Sequence, residues 1–209
     1  ADLIMADTTG IVTATVTATG AVAALNTALG NASATDALTM VLDATTASAA
    51  DLNTLNGKTS VAIDSTSITD VTSSAADAVN TMVTNIAAIG LDSDWNVTLT
   101  DTTLSAAEVK TINVGTSCII DMSAATTISS SSISDVLEIV QNTGAAFTTA
   151  TNYAVTLSDT TASAANIKLI NADSTGAIDM SAVTTISSSS TSDVLEIVQN
   201  TGAAFTTAT

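Results

Sequence analysis

Residues 134–151 read SDVLEIVQNTGAAFTTAT, and residues 192–209 repeat the same letters 58 positions later. The agreement extends outward from this segment. VTLTDTTLSAAEVKTIN from Val97 matches VTLSDTTASAANIKLIN from Val155, and a diverged copy, VLDATTASAADLNTLN, begins at Val41. AIDSTSITDV at Ala62, IIDMSAATTI at Ile119 and AIDMSAVTTI at Ala177 also align. In the first forty residues, Ala1-Asp2-Leu3 echoes Ala50-Asp51-Leu52. Self-similarity at a fixed period is the signature of a repeat architecture. The chain therefore reads as one continuous array over residues 1–209: a partial copy over 1–40, then copies from about 41, 97 and 155, the last incomplete.

Within each unit the local signals alternate. Ser-Ala-Ala followed by a polar or acidic residue opens one helix, at Ser48–Asp51, Ser105–Glu108 and Ser163–Asn166. A second helix is expected from Ser74–Asp77, Ser132–Asp135 and Ser190–Asp193. Ser at the N-cap with an acid three residues on satisfies two otherwise orphaned N–H groups and places negative charge at the positive end of the helix. Helix stops are expected at Asn56-Gly57, Gly90, Asn113, Gly144, Asn171 and Gly202. The β-rich runs 11–17, 38–42, 61–69, 97–100 and 119–128 follow such stops or lie between helices. Strands joined through helical crossovers are parallel and right-handed. The expected fold is α/β: a right-handed solenoid of tandem helix–strand repeats, 58-residue units of two rungs each, with a parallel β-sheet.

Composition fits that object. Of 209 residues, 38 are Ala, 41 Thr and 25 Ser, and only four are aromatic. A core filled by Ala, Val and Ile is thin, and it lets helix and strand approach closely. The chain has three Lys, no Arg, no His and a net charge of −17, so phosphate-backbone binding has no electrostatic basis and nucleic acid is not an expected partner. A single Cys excludes a disulfide framework and a Cys-based zinc site. No apolar run approaches the ~20 residues of a membrane span, and membrane insertion is not expected.

Carboxylates are the abundant ionisable groups. Asp43, Asp101 and Asp159 share one repeat position, at a strand end, and Asp64, Asp121 and Asp179 share another, inside a strand. If equivalent positions stack, these become two candidate calcium rows with oxygen ligands. The plainer reading is that the first three end strands and cap turns. No DxDxDG loop or GGxGxD nonapeptide is present. Repeating acids argue against a unique catalytic pair, so no catalytic residue and no enzyme activity is expected. Thr13, Thr15 and Thr17 alternate along one strand face, the kind of surface that could meet ice or mineral. Cys118 aligns with Val61 and Gly176 and reads as a packing position. Trp95 and Tyr153 share one position, Phe147 and Phe205 another, and they read as plugs at turns. Lys110 and Lys168 coincide within helices and read as exposed.

The runs SAADLNTLNGKTSVAIDSTSITDVTSSAADAV from Ser48 and VTLSDTTASAANIKLINADSTGAIDMSAVTTI from Val155 resemble repeats of very large secreted bacterial, especially cyanobacterial, cell-surface proteins. The resemblance covers most of residues 41–209. It implies an extracellular, cell-surface location and a surface-layer, adhesive or motility-related role, with no catalytic residues. The expected function is a structural repeat segment forming a filament, sheath or surface layer. An adhesive module recognising glycan, mineral or ice is the alternative. The chain begins and ends inside a repeat without a polar capping unit, so the expectation is a fragment of a longer array. Its partners would be copies of itself, end to end or lateral, and surface glycans.

Overall fold

The computed structural model describes residues 2–187, 189–202 and 204–207. Ala1, where the first echo begins, lies outside the described residues, as do Ser188, Ala203 and the last two positions. Short strands and helices alternate along the chain. They are α1 (Asp2–Asp7), β1 (Thr13–Ala18), α2 (Val22–Ala28), β2 (Ala37–Leu42), β3 (Thr46–Ala47), α3 (Ala49–Asn56), β4 (Asp70–Ser74), α4 (Ala76–Thr84), α5 (Ile86–Ile89) and β5 (Asn96–Leu99). After these come β6 (Thr103–Leu104), α6 (Ala106–Gly115), β7 (Ile120–Met122), β8 (Thr127–Ser131), α7 (Ile133–Asn142), β9 (Phe147–Thr149) and β10 (Ala154–Leu157). The last are β11 (Thr161–Ala162), α8 (Ala164–Asp173), β12 (Ile178–Met180), β13 (Thr185–Ile186), α9 (Thr191–Asn200) and β14 (Phe205–Thr207). The fold is α/β with parallel strand pairing. The chain divides into two compact units, residues 1–98 with 114–119, and residues 99–113 with 120–209.

In the first unit β1 pairs in parallel with β2, Thr13 opposite Ala37 through Ala18 opposite Leu42. β3 pairs with β4 through Thr46–Asp70 and Ala47–Val71, and Val41 forms an isolated parallel bridge to Asp64. Alternation follows from the two-residue side-chain period of a strand. Leu38, Met40 and Leu42 point inward and are buried, while Thr39 and Val41 point out. Leu52 and Leu55 of α3 and Val79 and Met82 of α4, at helical spacing, are buried as well.

In the second unit β6, β8, β10, β12 and β14 form one parallel sheet. Its inner row runs Leu104–Ile128–Val155–Ile178–Phe205, each directly opposite the next and none more than 1% exposed. Each such side chain contributes about 1.5–3 kcal/mol by leaving water, so this single line of residues ties together five strands that are far apart in sequence. β11 pairs with β13, and β7 with β9.

Two of the expected β runs break at the same place, for one reason. Asp64 Oδ1 accepts from the Thr66 N–H, Asp121 Oδ1 from Ser123 and Asp179 Oδ1 from Ser181, at 3.2, 3.0 and 2.9 Å. Each of these side chains reproduces a backbone turn, and a turn bond closes just after it, Ile68 to Ser65, Ala125 to Met122 and Val183 to Met180. The run 119–128 is therefore two strands, β7 and β8, and 61–69 holds only the bridge at Asp64.

Four of the expected helix stops agree with the structure. Gly57 and Gly90 are C-caps, the latter left-handed at φ 69°, and α7 and α9 end two residues before Gly144 and Gly202. Asn113 and Asn171 instead lie inside helices, which run on to Gly115 and Asp173. Gly90 is also required sterically, because a Cβ there would stand 1.9 Å from the Ile63 carbonyl oxygen.

Candidate functional site

The helix starts show how successive turns of the chain are tied. Ser48, Ser132, Ser163 and Ser190 each accept the N–H three residues on. Ser105 and Glu108 form a complete reciprocal capping box, Glu108 N–H to Ser105 Oγ at 3.2 Å and Ser105 N–H to Glu108 Oε2 at 2.8 Å. Ser74 departs from the expectation. The N-cap of α4 is Ala75, and the Ser74 hydroxyl accepts the Ala49 N–H at 2.9 Å, the first N–H of the preceding helix. Ser131 does the same for Ala106 at 2.8 Å, and Ser189 for Ala164 at 2.7 Å. The Ser-Ser pair thus divides its work in the later copies: one hydroxyl caps its own helix, and the other caps the helix 25 residues earlier.

A second set of hydroxyls repeats this 24-residue reach. Ser60, Thr69, Ser117, Thr126, Thr175 and Thr184 each donate to the carbonyl 24 residues before, at 2.9–3.4 Å. A third set is buried. The Thr59, Thr116 and Ser174 hydroxyls donate to the carbonyls of Leu38, Trp95 and Tyr153, and accept the N–H groups of Val61, Cys118 and Gly176. The Ser and Thr content is therefore structural glue between neighbouring turns of the chain, a role composition alone does not reveal.

The six Asp residues singled out by the repeat have the following surroundings. The Asp43 carboxylate accepts the Gly20 N–H at 2.8 Å and that of Asp159 accepts the Ile133 N–H at 2.6 Å, again reaching back to the preceding helix region. Asp101 is not free either. Asp121 and Asp179 lie in different sheets. Asp121 stands opposite Thr148, and Asp179 stands between Thr156 and Thr206. Asp121 and Asp179 are separated because β10 joins β8 on one side and β12 on the other, so strands at different places in the repeat become neighbours. Among the described residues no group of three or more Asp, Glu, Cys or His is arranged to hold a metal ion. The Asp64 carboxyl is held below its ordinary range by the Thr66 hydroxyl and then the Thr66 N–H.

One carboxylate escaped the repeat reading. Asp36 is 4% exposed and accepts the N–H groups of Val12 and Ser33 and the Ser33 hydroxyl, at 2.8, 2.9 and 3.0 Å. Those backbone donors, Val12 first, lower its pKa.

The helices are bridged laterally from one position whose chemistry changes along the chain. Asn26 and Asn53 donate their amides to the carbonyls of Asp51 and Ala78, 25 residues on. At the position of Asn53, later copies carry Lys110 and Lys168, which reach Asp135 and Asp193, again 25 residues on, at 2.9 and 2.8 Å. Glu138 and Glu196 complete the two pairs. The lysines are ion-paired across helices, not merely exposed. Hydrogen bonding to Asp135 and Asp193 raises their pKa, and the same bonds lower those of the two aspartates.

The aromatics are all buried, as plugs should be. Tyr153 donates its hydroxyl to Asp173 at 2.6 Å; burial first, and that carboxylate second, push its pKa upward. Cys118 is half-buried. Thr13, Thr15 and Thr17 face outward, and next to them on β2 stand Thr39 and Val41. No helix among the described residues is long and apolar enough to cross a membrane.

An apolar concavity of the second unit lies at α9. A groove of about 520 Å³ is lined by Met180, Val183, Ile186, Val194, Ile197 and Val198, with three threonines at its edge. Leu195 and Val198 are 52% and 63% exposed. None of the groove's lining residues carries an ionisable side chain. In comparison with known proteins, no family model, no curated protein and no solved structure matches the chain.

Proposed function

We propose that this chain is a structural repeat segment of a secreted cell-surface protein, a right-handed α/β solenoid whose rungs build a filament, sheath or surface layer. The observation that carries the reading is the periodic tie between neighbouring turns of chain. Strand pairs, hydroxyl-to-carbonyl bonds, helix-start serines and lateral helix bridges all connect residues 21 to 27 positions apart. Every kind of bond that holds one rung also presents the same groups for the next, which is how a nearest-neighbour array grows. The acidic outer surface keeps such rods apart in solution. No catalysis is assigned, and the extracellular location rests on the resemblance of the repeats.

The test is length against repeat number. Chains extended by one, two and three further 58-residue copies are imaged by negative-stain electron microscopy. Each copy adds two rungs, so the particle should lengthen by about 10 Å per copy at the ordinary strand spacing. Particles that stay compact as copies are added overturn the reading. The adhesive alternative keeps the outward Thr13, Thr15, Thr17 and Thr39, and glycan-array and ice-recrystallisation assays on the same proteins test it.

A further inference from the structure

The sequence Asp94-Trp95-Asn96-Val97-Thr98 leads into β5, well inside the chain, and the fold sorts its side chains by face. Trp95 and Val97 are buried, whereas Asp94, Asn96 and Thr98 are exposed. The two-residue period of an extended chain puts those three on one outer side. Asn-X-Thr without proline is the acceptor triplet for an N-linked oligosaccharide. An acid two residues before the asparagine is the further feature that bacterial oligosaccharyltransferases read. Asn96 belongs to this copy alone. Leu38 and Tyr153 stand where Trp95 does, each with its carbonyl on the same buried hydroxyl position, and the residues that follow them are Thr39 and Ala154. The Asn96 amide donates to Asp70 Oδ1 at 3.3 Å. That bond uses one of the two amide protons, so the other can be replaced without losing the partner. The other Asn-X-Ser/Thr triplet of the chain, Asn31-Ala32-Ser33, has Leu29 where the acid would stand, and its amide is held by Asp2 at 3.0 Å.

We infer that Asn96 is the acceptor of an N-linked oligosaccharide delivered from a polyprenyl-diphosphate donor, and that Asn31 is not. Nδ2 of Asn96 attacks the anomeric carbon of the first sugar and a C–N bond forms. The bond from that carbon to the diphosphate oxygen breaks, and the polyprenyl diphosphate leaves with its electron pair. One Nδ2 proton passes to a carboxylate of the transferase. In the folded chain the Asn96 N–H is bonded to the Thr69 carbonyl at 2.8 Å. A paired strand cannot bend into a transferase, so transfer takes place on the chain during export, before β5 pairs. The finished fold then carries the sugar outward beside Asp94 and Thr98. The inference rests on the reading of a secreted protein, and it adds a modification to one copy of the repeat.

The full chain, preceded by an export signal, is produced in a bacterial host that carries an oligosaccharyltransferase and a lipid-linked oligosaccharide of known mass, and in which a reference acceptor is fully modified. Intact mass and peptide mapping are expected to show one added oligosaccharide, on Asn96, with Asn31 bare. Asn96→Gln and Thr98→Val should each abolish the added mass, and Asp94→Ala should lose most of it. Asn96 is exposed, so N96Q should keep the circular dichroism spectrum of the unmodified chain, which separates a lost acceptor from a lost fold. A bare Asn96 overturns the proposal, as does equal occupancy at Asn31 and Asn96, or occupancy indifferent to D94A. A bare Asn96 in particles that still lengthen with repeat number removes the glycan and leaves the rod reading standing. A modified Asn96 in particles that stay compact removes the rod and leaves the glycan.

Discussion

The Ser131 hydroxyl accepts the Ala106 N–H at 2.8 Å, bridging β8 to the start of a helix 25 residues earlier. Ala106 is fully buried, so water cannot replace this acceptor. An unsatisfied buried donor costs about 1–3 kcal/mol. Ser131→Ala should therefore destabilise the chain by about that amount in a urea or thermal melt. A change within experimental error would mean the bond contributes nothing to the fold.

Buried hydroxyls should outweigh exposed ion pairs. Thr116 is 6% exposed and serves both the Trp95 carbonyl and the Cys118 N–H. The Lys110 side chain is 48% exposed, and its pair with Asp135 is screened by solvent. Thr116→Val should cost about 1–3 kcal/mol, and Lys110→Met under about 1 kcal/mol. Paired melts in low and high salt check this, since only the lysine effect should shrink with salt.

Most of the fold was legible in the sequence because its signals are local. The capping boxes at Ser48, Ser105, Ser132 and Ser190, the parallel strands and the buried aromatic plugs all follow from spacing. Ser74 was misjudged because Asp77 stands three residues on and completes the capping pattern, and what decides is Ala49, a partner 25 residues away. The separation of Asp121 from Asp179 into different sheets has a related reason. Equal positions in sequence stack only if every rung has the same strands, and β10 shifts the register between its neighbours. Asp36 carries no repeat signature, and its role appears only when Val12 is brought beside it.

Stability should form a plateau between mild acid and mild alkali. The carboxyls of Asp36, Asp135 and Asp193 have folded pKa values below their ordinary 3.8. Their contribution is present above that value and is lost as pH falls through the lowered one. Lys110 and Lys168, raised above 10.5, and Tyr153, raised above 10.0, act oppositely. Their contribution is complete below the ordinary values and is lost as pH rises toward the raised ones. Melting temperature measured from pH 2 to 12 should fall at both ends, and Tyr153→Phe should flatten part of the alkaline limb. A single monotonic slope would contradict these assignments.

Backbone strain is stored at two related serines. Ser73 and Ser130 have φ of 47° and 43°, the left-handed region that favours glycine. A non-glycine residue there costs roughly 1–2 kcal/mol, partly offset by the extra freedom glycine gives the unfolded chain. Ser130→Gly should therefore stabilise by up to about 1 kcal/mol, measured as a higher denaturation midpoint. Ser130→Val, with a branched Cβ, should shift the midpoint the other way.

One substitution made at two copies separates sequence from position. Ile128 and Ile186 occupy the same place in the repeat, each followed in sequence by four serines and then by helix sequences that differ only at Ile133 and Thr191. Ile128 is fully buried between Leu104 and Val155, while Ile186 is 36% exposed beside the open groove. Truncating a buried isoleucine to alanine costs about 2–5 kcal/mol through lost burial and the cavity left behind. At the second site part of that surface is already in water and the groove is already open, so Ile186→Ala should cost about half as much or less. Equal costs would show that the last rung is as well covered as the one before it, contrary to the exposure of Ile186 and Val198.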